Sequence, residues 1–236
     1  MRRQEYKYFI AREDVNLIIS LLKPLMYLDS HCKDTKPYTI TSIYFDSFKD
    51  EDLFEKLDGI RFREKYRVRY YNNDIGNAKF EVKRKIENTI EKVSIDLNAE
   101  ERIGILSGDY SSLKKHADFE YIGYRMDFKN YAPKAVIIYD RLAFTLPFDS
   151  VRITLDLNIR STGFYDLHIE SSCLAGKLVM PTGYEVLEVK FSGELPDYLS
   201  RLMSSYSLSR SSISKYTLGR FYNSPELNGD RPFLPF

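Results

Sequence analysis

The sequence predicts an α+β fold centred on a barrel or curled sheet of mostly antiparallel strands. Three observations support this. About eight segments read as strands, either alternating polar with apolar residues or rich in β-branched and aromatic side chains. Tyr (19) and Phe (15) are abundant and Trp is absent, a composition that favours strands. The helical segments are short and fall between strands, with no repeat of fixed period and no long linker. A single domain over residues 1–236 is therefore the economical organisation, with 223–236 as an irregular tail.

Taken in order, "QEYKYFI" alternates and opens the chain as a strand, with Glu5 and Lys7 on one face. Val15, Ile18, Ile19 and Leu22 then recur at helical spacing, and Pro24 ends that helix. "YTITSIYFDS" is a strand, and "DEDLFEKLDG" is a short helix closed by Gly59. "FREKYRVRYY" and "AKFEVKRKI" flank the turn cluster "NNDIGN" and pair as a hairpin. "IEKVSIDL" follows as a further strand. From Asn98 to about Lys129 the pattern is helical, interrupted by Gly104, Gly108 and Gly123. "KAVIIYDRLAF", "VRITLDLNIR" and "YEVLEVKF" complete the strands. "PDYLSRLMSSYSL", with Pro196 in its first turn, and "SISKYTLGRFYN" are the closing helices.

Charge narrows the function classes. The formal net charge is +1, too small for a global cationic field, which argues against nucleic acid as a partner. The amino-terminal "MRRQEYKYFI" lacks the apolar core of a signal peptide. No run approaches the ~18 apolar residues of a membrane span. Cys32 and Cys173 lie in no metal spacing and read as free thiols in a reducing compartment. The expected location is the cytoplasm. No phosphate-binding glycine loop, H-E-x-x-H or G-x-S-x-G motif occurs, and His31, His116 and His168 are scattered.

Local charge is more informative. In "RFREKYRVRYY", Arg61, Arg63, Lys65, Arg67 and Arg69 share one strand face. Glu81, Lys83 and Lys85 share a face in "FEVKRK", as do Arg152, Thr154, Asp156 and Asn158 in "VRITLDLNI". Glu188 and Lys190 do so in "YEVLEVKF". Such faces either meet water or turn inward while the helices cover the apolar faces from outside. Inward cations are tolerable beside a polyanion, or with water and interspersed carboxylates.

These segments together resemble one family. "QEYKY", "YTITSIYFD", "EKLDG", "KYRVRYY", "FEVKRK", "YDRLAF", "VRITLDLNI", "VLEVKF" and "SISKYTLG", in this order, are similar to the VTC domain, the polyphosphate-polymerase module of the triphosphate tunnel metalloenzyme, or CYTH-like, superfamily. The resemblance spans Arg3 to about Tyr222. It implies an eight-stranded antiparallel β-barrel tunnel with flanking helices and a carboxy-terminal helix near the tunnel mouth. It also implies ATP and polyphosphate as substrates, and Mn²⁺ or Mg²⁺ as cofactor.

By the same resemblance, Lys7, Lys56, Arg67, Arg69, Lys83, Lys92, Arg141, Arg152 and Lys215 bind phosphates. Arg67, Arg69, Lys83, Arg141, Arg152 and Glu188 are also catalytic, Glu188 as the metal ligand. Lys65 falls near the rim, and Arg61 and Arg63 at the entrance or outside. Ser212 stands where better-known eukaryotic members carry a second Lys, leaving that contact missing or supplied by Arg210. Arg3-Gln4-Glu5-Tyr6-Lys7 lacks the first carboxylate of the E-x-E-x-K start of the CYTH hydrolases, which favours the polymerase branch. A tripolyphosphatase or nucleoside triphosphatase, and a non-catalytic polyphosphate- or nucleotide-binding module, are the alternatives. Product export would need a separate membrane partner, with the chain peripheral at the inner face of that membrane.

Overall fold

The computed structural model describes residues 3–32, 34, 36–87, 89–146, 150–162, 176–206, 208, 210–224 and 226. Cys173, His168 and most of the expected tail lie outside the described residues. The first half of the chain runs β1 (Arg3–Ala11), α1 (Val15–Leu22), β2 (Tyr27–Leu28), β3 (Tyr38–Asp46), α2 (Glu51–Leu57), β4 (Phe62–Tyr71), β5 (Asp74–Ile86) and β6 (Thr89–Asp96). Three helices follow, α3 (Ala99–Leu106), α4 (Ser111–Lys114) and α5 (Glu120–Phe128). The chain then forms β7 (Ala132–Leu146), β8 (Val151–Thr162), β9 (Lys177–Leu178), β10 (Tyr184–Ser192), α6 (Asp197–Ser205) and α7 (Lys215–Asn223).

Local chemistry sets the boundaries. Asn72 and Asn73 both take positive φ (50° and 59°), so a two-residue turn joins β4 to β5. The hairpin is tighter than "NNDIGN" implied, because Asp74 already pairs with Tyr71. Asn98 caps α3 in a reciprocal box with Glu101. Gly108 (φ 91°) ends that helical stretch, whereas Gly104 and Gly123 sit inside helices. The carboxylate of Asp46 accepts the N–H groups of Ser47, Asp52 and Leu53, fastening the start of α2 to the end of β3.

The main strands form one antiparallel path, β1-β10-β8-β7-β3-β4-β5-β6, with β2 and β9 as short additions on β7 and β8. Cross-strand partners share a face, so the register fixes what points inward. Tyr44, Arg67, Glu81 and Ser94 are aligned across β3, β4, β5 and β6. Lys65, Lys83 and Lys92 form a second row, and Lys7, Glu188 and Thr154 a third. The opposite, apolar faces are covered by helices. Phe45, Tyr66, Phe80 and Val82 pack against Ile105, Leu113, Ile122 and Met126 of α3–α5. Leu187, Val189, Ile153 and Phe191 belong to a second cluster with Ile18 and Leu22 of α1 and Leu199 of α6.

The expected closed barrel is corrected to a curled, open sheet. β1 and β6 end the strand path and do not pair with each other. The free edge of β1 is instead engaged by residues before α7: Tyr8 bridges to Arg210, and the Ser211 N–H donates to the Lys7 carbonyl at 2.8 Å. These backbone groups are therefore unavailable to β6. Helix α7 then lies against the inner face, where Gly219 sits beside Ile137 of β7 and Ser161 of β8.

Candidate active site

The inward faces enclose a cavity of about 580 Å³. Twelve Lys and Arg side chains line it, against two carboxylates, Glu5 and Glu188. Burying this many cations together needs compensation, and it comes in two layers.

Behind the wall, the buried Glu81 carboxylate holds the Arg67–Arg69 pair. Arg67 donates to Glu81 Oε2 through Nε and Nη2, both at 2.7 Å, and Arg69 Nη1 lies 3.7 Å away. Burial pushes the Glu81 carboxyl up, but Arg67, Arg69 and Lys92 overcome it and hold its pKa near about 2. Asp156 plays the same part across the cavity. It receives Arg141 bidentately at 2.6 and 2.8 Å and Lys215 at 2.6 Å. Its pKa is likewise held at about 2, burial being outweighed by Arg141 and Lys215.

Within the wall, Glu5 contacts Lys83 at 3.0 Å and Lys7 at 3.2 Å, tying β5 to β1 across the open edge of the sheet. Burial raises the Glu5 carboxyl, yet Lys7, Lys83 and Lys190 bring it to about 2. Glu188 pairs with Lys190. Against burial, Lys190, Lys7, Lys215 and Arg141 hold its carboxyl well below the usual range. Both carboxylates are therefore ionised at neutral pH.

Other cations are not satisfied by carboxylates. Lys65 Nζ donates to Ser214 Oγ at 3.0 Å and Lys56 Nζ to Ser212 Oγ at 2.9 Å. Burial, together with Lys7, Lys56, Lys83 and Arg63, drives the Lys65 amine well below its ordinary pKa. Burial and the charges of Lys7 and Lys190 bring Lys83 to about 8 despite Glu5. These amines are poised for an anion.

Of the residues singled out from the sequence, Lys7, Lys56, Arg67, Arg69, Lys83, Arg141, Glu188 and Lys215 all line the cavity. Lys92 does not. Its amine reaches Glu81 at 2.5 Å and so braces the carboxylate that holds the arginines. Arg152 also lies outside the lining, because its guanidinium turns to Asp29 at 3.0 Å and the Tyr38 hydroxyl at 3.3 Å. Arg63 and Lys65 join the lining, and Lys65 is buried among cations rather than placed at a rim. Arg210 lines the cavity too, its guanidinium 3.7 Å from the centre of the Tyr6 ring.

Sequence reasoning missed two tyrosines. The Tyr44 hydroxyl accepts from Arg67 Nη1 at 3.0 Å, and the Tyr139 hydroxyl accepts from Arg69 Nη2 at 3.2 Å. Their inward parity was the available signal. The serine-rich segment Arg210–Ser214 left no periodic signal, yet all five of its residues line the cavity.

Among the described residues no cluster of three or more His, Cys, Asp or Glu side chains is placed to hold a metal. Nor is any helix among them long and apolar enough to cross a membrane. No protein of curated function matches the chain. Solved structures share the fold. A candidate adenylyl cyclase from Hippeastrum, described as having a dominant triphosphatase activity, is 13% identical with a TM-score of 0.56, over 93% of this chain and 95% of that one. A candidate adenylate cyclase from Bacillus halodurans is 14% identical with a TM-score of 0.52, over 91% and 96%. At these identities the likeness concerns the fold alone. The family model for the VTC domain matches residues 2–222, nearly the whole chain. With the inward Arg67–Arg69 pair, Lys83, Glu188 and Lys215 set around one cationic cavity, the chain belongs to the VTC domain family.

Proposed function

We propose that this protein is a metal-dependent polyphosphate polymerase that transfers the γ-phosphate of ATP onto a growing polyphosphate chain. One observation carries the proposal: twelve cations and only two carboxylates line a single cavity, so its natural occupant is a polyanion. Family membership supports a nucleotide or polyphosphate among polyanions.

Phosphoryl transfer asks for positioning and for neutralisation of the equatorial oxygens. Arg67 and Arg69 suit this, because Glu81, Tyr44 and Tyr139 fix both guanidinium planes. Lys7, Lys65 and Lys83 act as point charges that can follow a moving chain. The acceptor is the terminal phosphate of the chain, already ionised, so no strong general base is required. His31 and His116 accordingly do not line the cavity.

The donor set fits a divalent ion. Glu188 and Glu5 offer ionised oxygens inside the cavity, and the charge of Glu188 acts to raise the Glu5 carboxyl. Mg²⁺ and Mn²⁺ take one or two carboxylates and complete their shell with phosphate oxygens and water. Bound there, the ion would neutralise charge developing on the phosphates. Glu188 is the residue that would hold it, with Glu5 alongside.

Incubating the protein with ATP and Mn²⁺ and resolving the products on a gel tests the proposal. Long chains are expected. Free phosphate without chains would make it a hydrolase, and unchanged ATP despite tight binding would make it a binding module. Glu188→Gln should abolish turnover while reducing triphosphate binding much less. Full metal-dependent activity in that variant would remove Glu188 from the metal site.

A further inference from the structure

We propose that Ser214 is a phosphoryl acceptor, so that the segment before α7 becomes phosphorylated from the triphosphate held in the cavity. This rests on the phosphoryl-transfer reading above and adds a covalent site to it.

The geometry begins with Arg210–Ser214, which runs along one wall of the cavity. Three cavity lysines rest on it. Lys56 donates to Ser212 Oγ at 2.9 Å, Lys65 to Ser214 Oγ at 3.0 Å and Lys7 to the Ile213 carbonyl at 3.2 Å. Ser214 Oγ accepts from Lys65 at 3.0 Å and from the Thr217 N–H at 3.4 Å and keeps its own proton, so the longer of the two bonds must yield for its oxygen to attack. A phosphate oxygen bound to Lys65 Nζ would place its phosphorus roughly 4–6 Å from Ser214 Oγ, a distance that a rotation of the serine side chain brings towards near-attack. The same amine that binds the phosphate therefore also holds the hydroxyl.

The step balances within the site. Ser214 Oγ forms a bond to the γ-phosphorus, and the bond from that phosphorus to the β–γ bridging oxygen breaks. The nucleoside diphosphate leaves with the electron pair. The hydroxyl proton passes to a non-bridging oxygen of the transferred phosphoryl group and from there to water, while Lys65 stays an ammonium that neutralises the phosphate.

The product would be held where it forms. Ser214 is the N-cap of the nine-residue helix α7, accepting from the Thr217 N–H at 3.4 Å. A phosphoserine there faces the first turn of α7 and Lys65 together, both favourable to a dianion. Ser212 lacks the helix and is exposed, with Lys56 as its cavity partner. Ser214 is thus the preferred acceptor, and its phosphate would occupy part of the cavity that a triphosphate uses.

The test uses the whole chain with γ-labelled ATP and Mn²⁺. Label is expected on the tryptic peptide Ser211–Lys215, assigned to Ser214 by fragmentation, at a fractional rate independent of protein concentration. It should disappear in Ser214→Ala, persist in Ser212→Ala, and be lost with turnover in Arg69→Ala. ATP consumption without label on Ser214 would overturn the proposal and leave the phosphoryl-transfer reading intact. Label that survives Arg69→Ala would also overturn it, exposing a contaminating kinase. Loss of both label and ATP consumption in the unmodified chain would overturn the reading itself.

Discussion

Glu81 shows how a single carboxylate can decide the chemistry around it. Two arginines and Lys92 converge on it, and its own pKa sits at about 2 against an ordinary 4.5. The folded pKa is depressed, so its stabilisation is fully present above about pH 4.5 and is lost as pH falls towards 2. For Glu81 alone the loss is on the order of 3 kcal/mol, and Glu5 and Asp156 titrate over the same window. Denaturant midpoints measured from pH 6 down to 2 should fall steeply over that interval. A flat profile would mean these carboxylates are not ion-paired. Glu81→Gln should destabilise the fold by about 3–5 kcal/mol, since it strands buried cations. Lys83 gives the opposite sign. Its folded pKa of about 8 lies below 10.5, so binding a polyanion must draw protons onto it. Titration calorimetry with tripolyphosphate near pH 8.5, in buffers of differing ionisation enthalpy, should show net proton uptake. Uptake of zero would place Lys83 away from the phosphates. Arg67, Arg69 and Lys83 were legible in the sequence because period-two alternation marks them. Arg152 shares that alternation, but parity cannot reveal that Asp29 and Tyr38 capture its side chain.

At the scale of elements, α7 determines whether the cavity is complete. Tyr216 donates to Asp46 Oδ2 at 2.5 Å, and Arg220 donates to Asp50 at 2.8 Å. The helix is thereby locked to the β3–α2 corner, with Lys215 aimed at Asp156. Gly219 permits the close approach, since a Cβ there would collide with Ile137 Cδ1 and crowd Ser161. Gly219→Ala should cost about 1–3 kcal/mol in thermal or denaturant unfolding. It should also raise the apparent KM for ATP, because Lys215 moves with the helix. Unchanged stability and KM would show that α7 is not packed this closely. The final helix was readable from its periodicity, as were the strands. Its seat on the inner face was not, because nothing local in "SISKYTLGRFYN" distinguishes the concave from the convex side of a sheet. The two-residue β9 and β2 were equally silent, being too short for a pattern.

For the whole molecule, the decisive contrast is between a net charge of +1 and a cavity dominated by twelve cations. The rest of the chain must therefore carry a net excess of acid, part of it buried at Glu81 and Asp156. Polyanions small enough to enter should bind with marked salt dependence, while duplex nucleic acid, which can meet only the exterior, should not compete. Tripolyphosphate affinity measured with and without excess duplex DNA tests this, and strong competition would contradict an internal site. The inward turn of the charged faces could be argued from sequence because the helices need apolar faces to cover. The failure of the barrel to close could not, since it depends on Arg210 and Ser211 taking backbone positions along β1. On the polymerase reading, that serine-bearing segment would have a mechanical consequence. A chain that grows must also slide, and each advance requires a lysine to release one phosphate before it grasps the next. With Ser212, Ser214 and the Ile213 carbonyl within reach of Lys56, Lys65 and Lys7, each released amine would have an oxygen to return to. The wall would then work like the pawl of a ratchet, catching the cations between steps of a polymer otherwise gripped too tightly to move.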